Sequence, residues 1–249
     1  MIYDLQKASA LKRASAWLLD AILLLVLACG FGMALSSMLH FDDYSNTLNA
    51  CYEKYEKEYG IDFEDYSNLT EEQQARYEAA DAALQKDEEA QRAYNMVIYL
   101  SLTIITCSIL LSFLTLEFGV PVLFGNGQTV GKRVFGIALM RIDGVRITTF
   151  ALFVRSILGK YTIETMIPAL ILMMMFLGVI GIVGPAVILV IFGVQVALVI
   201  TSKTNSAIHD HMAATVAVDL ASQMIFNTPE DLMEYKKRIH AENVKRETY

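Results

Sequence analysis

Several features common in soluble enzymes are scarce or missing in this 249-residue sequence. Charged residues make up only 19% of the chain, against 55% hydrophobic residues, which is too apolar for an ordinary soluble domain. The three cysteines lie far apart and two of them fall in apolar runs, so we expect no internal disulfide. No HExxH, GxSxG or paired-cysteine redox motif occurs. We therefore predict neither an enzyme nor a cofactor.

Helix breakers are also rare. The chain has four prolines, and residues 61–118 contain neither proline nor glycine. Residues 70–73 match a capping box, so we predict a helix that begins at Glu71 and continues unbroken through the second apolar run. Asn46 is expected to cap a shorter helix that ends at Tyr59. These two helices would form a long helical hairpin.

Long apolar runs predict four membrane spans. The first, at residues 11–39, follows two basic residues and is long enough for the roughly 30 Å hydrocarbon core of a bilayer. It is also longer than the apolar core of a signal peptide, which is the alternative interpretation of this run. Residues 161–201 are too long for one span, and a glycine-rich cluster ending at Pro185 divides them into two. The alternative is one long kinked span, which would place the C-terminus outside.

The sign of the charge changes along the chain. Residues 40–93 contain 15 acidic and 5 basic residues, a net charge of −10, whereas the rest of the chain sums to +3. Basic residues collect on the cytoplasmic side of membrane proteins. We therefore expect a multi-pass protein of the inner or plasma membrane with both termini in the cytoplasm. The predicted segments are 1–39 (cytoplasmic N-terminus and span 1), 40–93 (acidic helical extracytoplasmic loop), 94–124 (span 2), 125–160 (cytoplasmic basic loop), 161–201 (spans 3 and 4) and 202–249 (cytoplasmic tail).

Charged residues within the spans are the candidate functional positions. A charge inside a membrane helix costs about 2.5–3.5 kcal/mol by insertion scales, so Asp20 is expected to face protein or water and to find a partner. Arg13 lies two helical turns earlier and shares the face of Asp20. Glu164, near the start of the third span, is the other candidate buried carboxylate. Asp20 is either a structural hydrogen-bond acceptor or a functional group.

The inner loop is basic and contains a glycine-rich motif. Its residues of interest are Gly127, Gln128, Gly131, Lys132, Arg133, Gly136, Asp143 and Gly144. The motif is not a phosphate-binding loop, because the glycine spacing is wrong and Arg133 replaces the hydroxyl that would hold magnesium. Alternating residues on both sides of Asp143-Gly144 predict a β-hairpin. Apolar residues on one face of 149–160, with Arg155 elsewhere, predict an interfacial helix on the inner leaflet.

The tail begins with a polar segment after the last span. His209 and Asp210 are followed by His211, but two histidines without a third ligand nearby are a weak zinc signal, and we predict no metal site. The segment is expected to lead into a strand at residues 215–218 that joins the inner-loop hairpin. A charged helix is predicted from Thr228, which precedes a proline and two acidic residues.

Taken together, these motifs resemble the RDD family of bacterial membrane proteins. The resemblance rests on Arg13 and Asp20 around the first span, GQTVGKRVFGIALMRIDG after the second, Arg155 downstream, and IHDHMAATVAV after the last span. It covers roughly residues 8–39 and 95–220, and the acidic segment lies outside it. The resemblance implies a membrane protein with suggested transport activity and, for some members, sodium/proton exchange.

Two functions follow from this sequence. In the first, the protein is a small transporter or cation/proton exchanger with Asp20 as the titrating site, assisted by Glu164 and gated by Arg13 or Arg155; four spans would then require a homo-oligomer. In the second, it is a non-transporting scaffold or regulatory partner of another membrane protein. There Arg13, Asp20, Arg155, His209 and Asp210 form a polar lock that clips the cytoplasmic sheet to the helices. Under both hypotheses the protein is embedded in the lipid bilayer, and no nucleic acid is expected as a partner. The predicted fold class is an all-α four-span transmembrane bundle with a long extracytoplasmic helical hairpin and a small cytoplasmic β-hairpin or sheet.

Overall fold

The computed structural model describes residues 5–63, 70–176 and 178–247. The chain divides into two compact units, one made of Met1–Leu27 with Leu110–Tyr249 and the other of Ala28–Ile109. The elements of the described residues are α1 (Ala10–Met38), α2 (Phe41–Tyr59), α3 (Glu71–Leu84), α4 (Glu88–Ser112), π1 (Phe113–Gly119), α5 (Val120–Phe124), α6 (Val130–Val134), β1 (Ile137–Arg141), α7 (Thr149–Phe153), π2 (Val154–Met166), α8 (Ile167–Phe176), α9 (Val183–Thr201), α10 (Ile208–Met212), β2 (Thr215–Asp219) and α11 (Pro229–Glu247).

Within the described residues, four helical stretches are long and apolar enough to cross a membrane, as the sequence predicts. They are Ala10–Met38, Glu88–Phe124, Thr149–Phe176 and Val183–Thr201. Large apolar side chains such as Leu25, Phe192 and Ile200 are exposed on them, which suits helices whose outer surface faces lipid. The mostly helical fold with four candidate spans is thus confirmed.

The third candidate span begins earlier than the sequence suggests. Residues 149–176 form one continuous helix made of α7, π2 and α8, so the separate interfacial helix predicted for 149–160 does not occur. Within π2 the chain makes wider i→i+5 turns, and the Thr162 hydroxyl donates to the Ile157 carbonyl five residues earlier, 2.9 Å away. The helical turns are wider here, but the helix is not interrupted.

The sheet has two antiparallel strands that are distant in sequence. β1 pairs with β2, with Ile137 opposite Asp219 and Arg141 opposite Thr215. Both faces are covered, because alternate side chains enter two different apolar clusters. One cluster contains Ile137, Leu139 and Ala217 with Ala8, Ala16, Ile147 and Leu152; the other contains Ala138, Met140, Val216 and Val218.

The predicted hairpin around Asp143-Gly144 is only a turn. The Arg141 amide donates to the Val145 carbonyl at 2.9 Å, but a single bridge between Met140 and Arg146 follows it. The chain then turns aside, because the Arg146 amide donates to the Phe226 carbonyl at 2.8 Å. β1 therefore has β2 as its strand partner.

The unit Ala28–Ile109 contains α2 and α3, which pack against each other. Its core consists of Cys51, Tyr55, Leu84 and Ala90, with Tyr52, Tyr59, Phe63 and Ala83 packed around them. The Thr70 hydroxyl accepts from the Gln73 amide, and the Gln73 side chain accepts from the Thr70 amide, so the capping box is present.

Two helix boundaries in this unit differ from the sequence prediction. The long helix from Glu71 is interrupted, since α3 ends at Leu84 and α4 begins at Glu88. Asp87 explains the new start, because its Oδ1 accepts hydrogen bonds from the amides of Glu89 and Ala90 as an N-cap does. α2 begins at Phe41 rather than near Asn46, directly after the left-handed residue His40.

Candidate functional site

Asp20 of α1 is buried and bound by the inner loop. Its Oδ1 accepts a hydrogen bond from the Gly131 amide at 2.7 Å, and its Oδ2 accepts one from the Thr129 hydroxyl. Thr129 also caps α6, because its Oγ1 accepts from the Lys132 amide. Both oxygens of the Asp20 carboxylate thus have partners from a segment more than a hundred residues away in sequence.

The contact between the inner loop and Asp20 requires a glycine at position 131. A Cβ atom at Gly131 would clash with the Ala16 carbonyl oxygen and lie 2.9 Å from the Asp20 carboxylate. The missing side chain lets the loop backbone approach α1 closely enough for its amide to reach Asp20. The motif GQTVGK, which does not match a nucleotide-binding loop, is therefore placed against a carboxylate of the same chain.

Lys132 lies beside the same carboxylate. Its Nζ is 3.7 Å from Asp20 Oδ2 and donates to the Thr129 hydroxyl at 3.1 Å. Only 11% of its side chain is exposed. Burial, followed by the charge of Lys160, lowers the pKa of Lys132 to about 8, although Glu117 opposes this shift.

Arg155 and Asp210 form the most buried ion pair of the site. Arg155 Nε and Nη2 lie 2.9 and 2.8 Å from Asp210 Oδ1, and the Thr215 hydroxyl donates to the same oxygen at 3.1 Å. Arg13 Nη2 is 4.0 Å from Asp210 Oδ2, and Arg13 Nη1 donates to the Asn205 carbonyl at 2.7 Å. Burial is the largest influence and opposes the charged carboxylate, but Arg155, His209 and Arg13 together outweigh it and hold the pKa of Asp210 below its ordinary value.

Glu164 of π2 binds His209 of α10. His209 Nδ1 lies 2.8 and 2.9 Å from the two oxygens of Glu164, and the His209 amide donates to Oε1 at 3.1 Å. Burial lowers the pKa of His209, although Asp210 opposes it, so the imidazole is neutral near pH 7. A carboxylate only accepts hydrogen bonds, so Nδ1 carries the proton of this neutral ring. Gly159 makes the contact possible, because a Cβ there would lie 2.6 Å from His209 Cβ.

Two further charged residues complete the site. Lys160 Nζ donates to Glu117 Oε1 at 2.7 Å, and both side chains are largely buried. The sequence analysis did not select either residue. In an α-helix Arg155 and Glu164 would lie about two and a half turns apart, on opposite faces. The i→i+5 turns of π2 bring Arg155, Lys160 and Glu164 toward one face, and an i→i+5 periodicity is the signal that would have found Lys160.

We call these side chains the polar network. Its members are Arg13, Asp20, Glu117, Lys132, Arg155, Lys160, Glu164, His209 and Asp210. Four carboxylates meet four cations, so the network is neutral overall when His209 is neutral. Two buried carboxylate oxygens, Glu117 Oε2 and Asp210 Oδ2, have no hydrogen-bond partner among the described residues.

The remaining inner-loop residues shape the backbone around this network. Gly127, Gly136 and Gly144 have positive φ angles of 64°, 65° and 93°, a region that favours glycine. The Gln128 side chain donates to the Ile137 carbonyl at 2.8 Å and ties the loop to β1. Arg133 stacks over the Phe124 ring. Asp143 pairs with Arg141 at the surface, away from the network.

The described residues contain no group of three or more histidine, cysteine, aspartate or glutamate side chains arranged to hold a metal ion. His209 points to Glu164 instead, and His211 Nδ1 lies 3.2 Å from the Ala207 carbonyl. His209 and Asp210 therefore join α10 to π2, through Glu164 and Arg155, and His211 contacts the start of its own helix.

Comparison with protein families finds one match. The family model described as "RDD family" matches residues 7–214, which include every member of the polar network. No curated protein and no solved structure matches the chain.

Proposed function

Because the chain belongs to the RDD family of membrane proteins, we propose that it is a non-catalytic integral membrane protein in which the polar network acts as a lock. The lock holds the inner loop and the two-stranded sheet against the membrane helices. The locked module then serves as a scaffold or regulatory partner for another membrane protein.

The state of Asp20 is the observation that carries this proposal. Both of its oxygens accept hydrogen bonds from the loop, a lysine lies nearby, and the residue is only 8% exposed. A carboxylate that exchanges ions during transport has to release its partners in each cycle, whereas a structural carboxylate keeps them. The contacts of Asp20 support the structural role.

The charges support a cytoplasmic position for the lock. Outside residues 40–93 the chain has a net charge of +3, and the inner loop contains Lys132, Arg133, Arg141 and Arg146. Under the positive-inside rule the inner loop and both termini face the cytoplasm and the acidic segment faces outward. The protein would then reside in the inner or plasma membrane.

A cation/proton exchanger is the second candidate. It is favoured by two buried carboxylate oxygens, Glu117 Oε2 and Asp210 Oδ2, that have no hydrogen-bond partner among the described residues, and by the pKa of Lys132, which burial lowers to about 8. Such groups suit proton or cation binding. With four spans, an exchange pathway would need a homo-oligomer, and its titrating group would be Lys132 rather than Asp20, whose two carboxylate oxygens both accept hydrogen bonds.

Reconstitution of the purified protein into liposomes separates the two candidates. The lock predicts no proton-coupled cation flux for the wild type or for Asp20→Asn, and a clearly lower unfolding temperature for Asp20→Asn, because an amide cannot accept at both oxygen positions. Asp219→Asn is the matched control, since Asp219 pairs with the half-exposed Lys12 outside the network. It should leave the unfolding temperature nearly unchanged. Flux in the wild type would refute the non-transporting lock and favour the exchanger.

A further inference from the structure

The unit Ala28–Ile109 contains a cavity that the lock does not use. It has a volume of about 470 Å³ and lies between α2, α3 and the first turns of α4. Ligand-binding cavities in proteins generally measure about 300–1,000 Å³. The cavity is therefore large enough for a small molecule or for the headgroup of a lipid.

The lining combines two aromatic rings with one carboxylate. Tyr52 of α2 and Tyr94 of α4 contribute the rings, Asp81 of α3 contributes the carboxylate, and Leu48 and Leu84 contribute apolar surface. Asp81 Oδ2 accepts a hydrogen bond from Gln85 Nε2 at 2.7 Å, which fixes the carboxylate at the cavity. Among the residues that the structure describes, no lysine or arginine lines the cavity, and none forms an ion pair with Asp81.

The surroundings make the cavity electronegative. Residues 40–93 have a net charge of −10. Burial, followed by the neighbouring Tyr94 and Asp81, raises the pKa of the Tyr52 hydroxyl. An anion would be repelled here, whereas a cation would be attracted by the carboxylate and by the negative faces of the two tyrosine rings.

We propose that this cavity binds an alkylammonium group. A metal ion fits less well, because one carboxylate cannot replace a hydration shell and no group of three metal ligands occurs among the described residues. An alkylammonium group combines a positive charge with apolar methyl or methylene groups, and the carboxylate, the tyrosine rings and the leucines match these parts in turn.

Two sources of this group fit the position of the cavity. Tyr94 lies where α4 passes from its charged first turns into the apolar stretch that begins near Met96, so the amine of a lipid headgroup at the membrane surface is one source. A soluble quaternary amine is the other. The proposal is independent of the lock, because its residues belong to a different unit from the polar network.

The soluble arm of the test uses the full-length protein in maltoside micelles, which contain no ammonium group. Choline is titrated by saturation-transfer NMR against tert-butylethanol, its uncharged carbon isostere. We expect saturable choline binding, and binding of the isostere weaker by about tenfold. Asp81→Asn and Tyr94→Leu should each weaken choline binding by roughly three- to thirtyfold, while Tyr94→Phe should retain it because the ring face remains.

Two control variants keep the same chemistry outside the cavity. Glu78→Gln removes a carboxylate from the same helix as Asp81, and Tyr99→Leu removes an exposed tyrosine from the same helix as Tyr94. Neither residue lines the cavity. Both variants should bind choline as the wild type does. Choline affinities are compared only between variants whose unfolding temperature equals that of the wild type. Tyr94 is already 45% exposed, which makes its substitution a mild one for folding.

The lipid arm uses phosphatidylglycerol nanodiscs with or without phosphatidylethanolamine. Stabilisation by phosphatidylethanolamine that Asp81→Asn and Tyr94→Leu abolish would identify the headgroup as the source. Saturable binding of choline with no lipid effect would identify a soluble amine. Equal affinity for choline and its isostere, binding unchanged in both cavity variants, or no binding in either arm would each overturn the proposal.

Discussion

The two units of the chain use their charged residues in opposite ways. In the unit Met1–Leu27 with Leu110–Tyr249, the charges of the polar network are largely buried and paired, as in Arg155 and Asp210, whose side chains are 5% and 1% exposed. In the unit Ala28–Ile109 the pairs lie nearer the surface, as in Arg76 and Glu72, which are one helical turn apart and are 52% and 78% exposed. These two kinds of ion pair differ in their energetic meaning.

Burial makes the difference. An exposed pair competes with water and salt and contributes about 0–1 kcal/mol. A buried pair adds little beyond the cost of its own desolvation, but losing one partner leaves an uncompensated charge in a medium that cannot solvate it. Under the proposed lock, the polar network therefore favours one arrangement of loop, sheet and helices, whereas the core of the second unit is a cluster of tyrosine, alanine, leucine and cysteine side chains.

The largest expected effect comes from breaking the most buried pair. Arg155→Met should lower the free energy of unfolding by about 3–5 kcal/mol, because Asp210 is left with Arg13 at 4.0 Å as its nearest cation. The matched change in the other unit, Arg76→Met, should cost no more than about 1 kcal/mol. Chemical unfolding of the purified protein in micelles measures both.

A double variant tests whether the loss of stability comes from the unpaired charge of Asp210. Replacing both partners, Arg155→Met with Asp210→Leu, removes the stranded carboxylate and should recover much of the lost stability. If Arg155→Met and Arg76→Met proved equally mild, the contrast between the two units would be refuted.

A smaller loss is expected from crowding the Asp20 contact. Gly131→Ala should cost about 1–3 kcal/mol, because the new methyl group pushes the loop away from Ala16 and Asp20. Gly193→Ala is the control within the same unit, since a Cβ there meets nothing within 4 Å, and it should change stability by less than about 1 kcal/mol. Equal effects of the two substitutions would show that the close approach is unimportant.

The smallest effect concerns Asp87 and depends on pH. The Ala90 amide, followed by the Tyr55 hydroxyl, lowers the pKa of Asp87 below its ordinary value of 3.8. Because the folded-state pKa is the lower one, the stabilisation is present above pH 3.8 and is lost as the pH falls through the folded-state value. Asp87→Asn should therefore unfold at a slightly lower temperature than the wild type at pH 7.

This difference should shrink as the pH falls below 3.8, because the wild-type side chain then becomes uncharged as well. Unfolding temperatures of the two proteins across that range test it. Glu89→Gln, an exposed change in the first turn of the same helix, is the control. A gap between Asp87→Asn and wild type that stays constant with pH would contradict the assigned role of the charge.

Many of the secondary-structure elements can be predicted from the residue pattern. Hydropathy indicated the four candidate spans, and the capping box at Thr70 marked the start of α3. The same patterns misplaced two helix boundaries. Asp87 starts a new helix in a segment without glycine or proline, and π2 continues through Lys160, where the sequence predicted the end of a helix. A capping aspartate resembles any other acidic residue in an acidic segment, so the pattern does not distinguish it.

The sequence by itself determined which stretches are long and apolar enough to cross a membrane and which residues are too polar to face lipid, because transfer of a side chain from water to hydrocarbon is a property of that side chain and its neighbours. Only the tertiary structure decided the partners: Asp20 with Thr129 and Gly131, Arg155 with Asp210, and Lys160 with Glu117. Pairing depends on distances between segments far apart in the chain and on the wider turns of π2. The distances between segments are not encoded in a local pattern.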